Sequence, residues 1–189
     1  MRDFRLLPKH VFGSAFRQNG IRSFREAVEY VRALPYGRPQ RLPHALAVLE
    51  EKRGTCSSKH ALLKALADEH GYSQIELVYC LFLMTSTNTP AVNAVLDAGP
   101  LPAIPEAHLH LRWAGENIDA TSASIHVDRL LQDRLHQRIM RLSEVPAKSA
   151  WHKKDLQTWL HEHAPTVSLA AAWQQREHAI ALLGREAST

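Results

Sequence analysis

Two residue types in this chain can do covalent chemistry together, its 2 cysteines and its 12 histidines. Two thiols are too few for a disulfide framework or a Cys-rich zinc module, but one thiol beside one imidazole suffices for nucleophilic catalysis. The segment Arg53-Gly54-Thr55-Cys56-Ser57-Ser58-Lys59-His60 places a cysteine in the first turn of an apolar helix that follows a glycine. A helix N-terminus carries partial positive charge and unpaired N–H groups, and the charge favours thiolate over thiol. Cys56 therefore stands where a nucleophilic cysteine is most easily activated, and the same N–H groups suit the oxyanion of a tetrahedral intermediate. A cysteine there also packs well as a small apolar residue, so helix position alone does not separate the two roles. Cys80 lies among Val78, Leu81 and Phe82, where burial is its expected role, and a Cys56–Cys80 disulfide is not expected in a reducing compartment.

A second group of reactive residues lies in the stretch from His108 to Asp119. Strand alternation puts His108, His110 and Arg112 on one face and Leu109, Leu111 and Trp113 on the other. Antiparallel partners share a face, so Asp119 on the returning strand comes beside one of the histidines. A carboxylate there fixes the imidazole tautomer and stabilises imidazolium, as the third member of a Cys-His-Asp triad does. The alternative is a polar hairpin face with a solvated His and Asp. With Gly115-Glu116 as the tight turn, Arg112 faces Asp119 and His110 is the diagonal neighbour. With the turn one residue earlier, His110 faces Asp119 and His108 becomes diagonal. The spacing by itself favours His110, and the register stays open at this level.

These residues need elements to hold them. Ser23 and Glu26 form a capping box before Phe24, Ala27, Val28, Val31 and Leu34, which recur at helical spacing until Pro35. Residues 35–39 are a stiff loop, and 43–52 predict a short helix ended by Gly54. Thr55 caps the next helix, over 56–70, with Gly71 as its stop. Residues 75–84 predict a mostly buried strand. Residues 85–105 predict a long loop with a helical turn entered at Thr89-Pro90. Residues 106–113 and 118–121 then form a hairpin around a turn at 114–117. Residues 125–142, 149–162 and 168–183 predict helices, the last ended by Gly184. Helices, then an antiparallel sheet, then helices give the fold class α+β. The chain reads as one domain over residues 1–189, with a core over about 23–124 and a helical C-terminal extension over about 125–189. Trp151, Trp159 and Trp173 lie on the amphipathic C-terminal helices and predict packing over the sheet, with these helices walling one side of a cleft. A partner-binding role is the other use of such tryptophans.

Leu34-Pro35-Tyr36-Gly37-Arg38, the Gly54-Thr55-Cys56 helix start, a buried strand, then His108, Gly115 and Ile118-Asp119-Ala120-Thr121 together resemble the transglutaminase-like superfamily, in its compact bacterial-type members. The resemblance covers roughly residues 34–121. It implies a papain-like core in which a Cys-bearing helix packs on an antiparallel sheet, and it assigns the catalytic roles to Cys56, His108 and Asp119. It thus prefers His108 over His110, which stands where an aromatic often does. Ser57 and Ser58 occupy the place where an aromatic commonly follows the nucleophile, which implies a different acyl pocket. The implied activity is cysteine-dependent amide or acyl transfer by a protease, amidase or transamidase. Cys56 attacks a carbonyl, His108 moves the proton, Asp119 holds the ring, and water or an amine resolves the thioester. The implied substrate is a peptide, protein or small amide, and no cofactor is implied. Tyr36 is a candidate second oxyanion donor.

Two other readings belong to different classes. A non-catalytic protein can keep this fold as a binding module, because a scaffold does not guarantee an activity. A zinc site could draw on Cys56, His60, His108 and His110, although CxxC or HExxH spacing is lacking and Asp119 would have no role. His161 and His163 are a weaker pair, since i and i+2 diverge on a helix, and the ten histidines other than His108 and His110 predict ordinary surface residues. The 23 Lys and Arg exceed the 19 Asp and Glu by 4. They are scattered, with His152-Lys153-Lys154 the densest cluster, so a nucleic-acid partner is not expected. The N-terminal residues lack the apolar core of a signal peptide, and residues 75–84 are too short for a membrane span, so a cytoplasmic protein without a membrane partner is expected.

Overall fold

The computed structural model describes residues 1–40, 45–123 and 127–186. Its helices are α1 (Val11–Gln18), α2 (Phe24–Ala33), α3 (Ala47–Glu50), α4 (Cys56–Glu69), α5 (Asn93–Ala98), α6 (Val127–Leu130), α7 (Lys148–His163) and α8 (Leu169–Glu186). Its strands are β1 (Glu76–Met84), β2 (Ile104–Trp113), β3 (Glu116–Ile118) and β4 (Arg134–Ile139), paired in the order β3-β2-β1-β4 with every pair antiparallel. The fold class is α+β.

Local chemistry explains the starts of α2 and α4. The Ser23 hydroxyl accepts from Glu26 N, and the Glu26 carboxylate accepts from Ser23 N, which closes the expected capping box. At α4, Thr55 and Ser58 make the same reciprocal pair, so the nucleophile candidate is the first residue of a capped helix. One sheet face carries Leu77, Tyr79, Leu81, Leu109, Leu111 and Trp113 and buries them against Leu62, Leu63 and Leu66 of α4 and against α2. Phe4, in the N-terminal segment, joins this core by stacking on Phe24 and Tyr72. Cys80, Phe82, Met84 and Ile104 on the other face pack with Leu156 and Leu160 of α7 and Ala172 and Ala179 of α8. The C-terminal helices therefore cover the sheet, and Trp151, Trp159 and Trp173 pack half-buried against the two cores.

Several expectations are corrected. The strand returning from the hairpin is Glu116–Ile118 rather than 118–121, because the turn is the two residues Ala114 and Gly115, with φ of +51° and +86°. Residues 127–142 are not one helix. After α6 and a 3-10 turn they form β4, an exposed edge strand that zips onto β1. Its ladder bonds are long-range, and Arg138 lies over the Tyr79 and Trp151 rings, so local helical preference is overridden. The 85–105 loop holds a full helical turn, α5, after the 3-10 turn at Pro90–Val92. The helix expected over 43–52 shrinks to α3, with residues 43 and 44 outside the described residues, as are 125 and 126 of the 125–142 segment. Gly184 does not end α8, which continues to Glu186. Among the described residues no helix is long and apolar enough to cross a membrane.

Candidate active site

Gly54 sits where only a hydrogen fits. A Cβ there would fall 2.6 Å from Lys59 Cγ and 3.3 Å from Val48 Cγ1. Its backbone pairs with the 35–37 segment, through Gly54 N–H to Pro35 O at 3.1 Å and Gly37 N–H to Gly54 O at 3.2 Å. This bridge holds Tyr36 beside the start of α4. Cys56 follows at the first helical position, 6% exposed. Its N–H and that of Ser57 have no helical carbonyl to bond.

The second and third members come from β2 and the segment after β3. His108 pairs with Cys80 across β1 and turns its Nε2 to Asp119 Oδ2 at 2.8 Å. The ladder pairs Leu111 with Ile118, which projected onward would set His110 opposite Asp119. The strand ends at Ile118, however, and the carboxylate reaches the diagonal residue, His108. Asp119 is fixed on every side. Its Oδ1 accepts from Thr121 N at 2.8 Å, and its backbone carbonyl accepts from Arg32 Nε at 2.8 Å. With Nε2 committed to the carboxylate, Nδ1 of His108 is the nitrogen left to serve the Cys56 sulfur, and the charged forms of the two groups stabilise each other.

His110 is fully buried beside His108, and neither of its ring nitrogens has a hydrogen-bond partner among the described residues. Burial, then the neighbouring His108 and His60, push it down to about 3, so it stays neutral. The spacing argument for His110 as base is thereby corrected, since the carboxylate that would activate it belongs to His108.

Electrostatics match the geometry. Burial alone would raise the Cys56 thiol, but the Lys148 ammonium and the His108 hydrogen bond and charge outweigh it and hold Cys56 well below the usual thiol range. Burial likewise opposes the His108 cation, but the charge and hydrogen bond of Asp119, with Cys56, hold the imidazole well above its ordinary value. Asp119 is kept far below the usual carboxylate range against its own burial, chiefly by His108. Tyr36 is pushed upward by burial and then by Cys56 and Glu106, so it remains a neutral phenol able to donate. Cys80, by contrast, is raised by burial to about 11 and is inert packing.

Three site-forming residues, Lys59, Lys148 and Arg176, escaped the sequence reading, and a fourth, His60, entered it only as a zinc ligand. Lys59 on α4 sends its ammonium to Leu34 O at 2.6 Å and Thr121 O at 2.7 Å, tying the nucleophile helix to both flanking loops. His60 donates Nδ1–H to Cys56 O at 2.7 Å and accepts Ala120 N–H on Nε2 at 2.8 Å, so it holds the Asp119 segment as a neutral ring, lowered by burial to about 4. Lys148, the first residue of α7, donates to Ala107 O at 2.5 Å and stands 3.7 Å from Cys56 Sγ. Arg176 of α8 grips Glu106 with two hydrogen bonds of 2.7 Å, with His152 bonded to Pro105 O beside them. The buried His60 and His152 are not the surface residues expected of them. One local signal did mark Lys148: a cation at a helix N-terminus opposes the macrodipole, and such rule-breaking collects at functional sites.

The zinc reading loses its ligands. Both nitrogens of His60 and Nε2 of His108 are committed to protein partners. Among the described residues no group of three or more His, Cys, Asp or Glu side chains is arranged to hold a metal ion.

Two cavities meet at Cys56, Tyr36 and Ile180. The smaller, about 430 Å³, runs past His108 toward Phe82, Met84 and Leu130. The larger, about 860 Å³, runs past Lys148 toward Leu142, Val145 and Trp173. A substrate can therefore extend to both sides of the sulfur. Comparison with protein-family models, with curated proteins and with solved structures found no match.

Proposed function

We propose that the protein is a cysteine-dependent acyl-transfer enzyme of transglutaminase-like, papain-like type, acting on an amide of a peptide, protein or small molecule through a thioester on Cys56. The observation that carries this reading is a cysteine at the first turn of a capped helix whose thiolate is stabilised by His108, itself held by Asp119 at 2.8 Å, at the junction of two cavities. The Cys56 thiolate attacks the amide carbonyl carbon, and a C–S bond forms as the carbonyl electrons move to oxygen. The oxyanion faces the free N–H groups at the start of α4, with Tyr36 as a neutral donor nearby. Collapse of the intermediate breaks the C–N bond, and His108 gives its proton to the departing amine. Neutral His108 then takes a proton from water or from an acceptor amine as that nucleophile attacks the thioester, and the thiolate leaves. The smaller cavity borders His108, which suits it to the leaving amine and the incoming nucleophile. The larger cavity takes the acyl part.

The test is iodoacetamide labelling of the two thiols against pH, followed by hydroxylamine trapping with a panel of acyl amides. Cys56 is expected to react well below the ordinary thiol value of about 8.5 and far faster than Cys80. Its acyl adduct is expected to yield a hydroxamate that Cys56→Ala does not form. Slow, equal labelling of both cysteines refutes the proposal.

A further inference from the structure

Lys148 has no part in the relay above, yet its ammonium is the cation placed directly against the reacting sulfur. It is 9% exposed, and its hydrogen bonds go to Ala107 O and Cys56 Sγ, neither of them a carboxylate. The nearest acidic side chain on β2, Glu106, is already gripped at both oxygens by Arg176. An ammonium at the first turn of α7 also gains nothing from that helix, whose N-terminal dipole repels it. Desolvated and unhelped by its helix, it needs an anion; the thiolate lies 3.7 Å away, while Glu106 feels its charge from a greater distance and is already paired with Arg176.

We propose that Lys148 is a fourth catalytic residue: it holds the Cys56 thiolate in the free enzyme and turns to the substrate oxyanion when the sulfur is acylated. The proposal rests on Cys56 being the nucleophile. As the sulfur's electron pair forms the C–S bond, negative charge moves from sulfur to the former carbonyl oxygen. Lys148 keeps its proton throughout and stays beside the charge as it relocates. It lines the larger cavity, the one suited to the acyl part. The consequence is that α7, outside the segment bearing the triad, completes the active site.

Other charged groups around Cys56 are accounted for. His108 on β2 shares the sulfur, and Asp119 lies behind His108. Lys59 on α4 is spent on two carbonyls, and Tyr36 across the cavity is neutral. Glu106 and Arg176 neutralise each other.

The decisive measurement is the pH dependence of Cys56 carboxamidomethylation in the full chain, for the wild type, Lys148→Met and Lys148→Arg. The expected result for Lys148→Met is an apparent thiol pKa raised by about one unit or more, which slows labelling roughly tenfold at pH values below the wild-type thiol pKa of about 6 and only about twofold at neutral pH. Lys148→Arg keeps the cation and is expected to track the wild type. A Lys148→Met profile superimposed on the wild type overturns the proposal while leaving the triad intact. A wild-type Cys56 no more reactive than Cys80 overturns both, since there is then no thiolate to hold. Should Lys148→Met fail to fold, isotope-labelled lysine in the wild type provides the same test by NMR. The Lys148 Nζ resonance, identified by its loss in Lys148→Arg, must shift as Cys56 titrates and must cease to do so in Cys56→Ser. A resonance indifferent to Cys56 overturns the proposal.

Discussion

Replacing Glu106 by Gln should cost this protein a large share of its stability, and the size of the loss follows from one buried ion pair. Glu106 on β2 and Arg176 on α8 meet through two bonds of 2.7 Å, with both side chains under one-tenth exposed. Burial would raise the Glu106 carboxyl, but Arg176, then His152 and Lys148, hold it down from 4.5 to about 2. At about 1.4 kcal/mol per tenfold in proton affinity, that is roughly 3 kcal/mol of stability drawn from the ionised carboxylate. Removing one partner of a buried pair independently suggests up to about 3–5 kcal/mol, since Arg176 then keeps only its partly exposed partner Glu177, at 2.8 Å. Against a typical total of about 5–15 kcal/mol, either figure is plain in a denaturation curve. Urea unfolding followed by tryptophan fluorescence should show the loss in Glu106→Gln, with a fall in Tm of about 6–12 °C for a chain of this size. The carboxyl is depressed in the folded state, so its contribution is full above pH 4.5 and fades as pH falls toward about 2. The wild type and Glu106→Gln should accordingly converge in acid. Glu106→Leu with Arg176→Met together should recover most of the loss, because the double change leaves neither member of the pair buried without the other. A Glu106→Gln protein within about 0.5 kcal/mol of the wild type, a difference ordinary for surface positions, with a parallel acid limb, would refute the reasoning.

Two more substitutions separate neighbours on which spacing and family resemblance disagree, the first favouring His110 and the second His108. His110→Leu should be neutral or stabilise by about 1–2 kcal/mol, because it removes a buried ring that makes no hydrogen bond among the described residues, and Cys56 labelling should be retained. His108→Leu should abolish fast labelling, and the reverse pattern would return the base to His110. Gly54→Ala should destabilise by about 1–3 kcal/mol, since its Cβ meets the stem of Lys59, whose ammonium is tied down at two carbonyls. Denaturation together with Cys56 labelling checks it, and an unchanged protein would show that the start of α4 tolerates a methyl group.

The sequence by itself determined what local rules govern. Ser23 with Glu26 and Thr55 with Ser58 mark helix starts because their side chains bond the first orphaned N–H groups, wherever the helices later pack. Cys56 was legible as a nucleophile candidate for the same reason. β1 and β2 were legible from their apolar and alternating residues. Tertiary structure decided whatever depends on partners distant in sequence. β4 has no pattern that outweighs a helical reading and exists through its ladder with β1. The choice of His108 over His110 turned on β3 ending at Ile118 and on Arg32, Lys59 and His60 pinning the chain just beyond it. Lys148 reaches the sulfur from 92 positions away. Caps and alternation act over a few residues and leave a trace in the sequence, whereas a charge held against a buried thiolate depends on how α7 packs across the sheet.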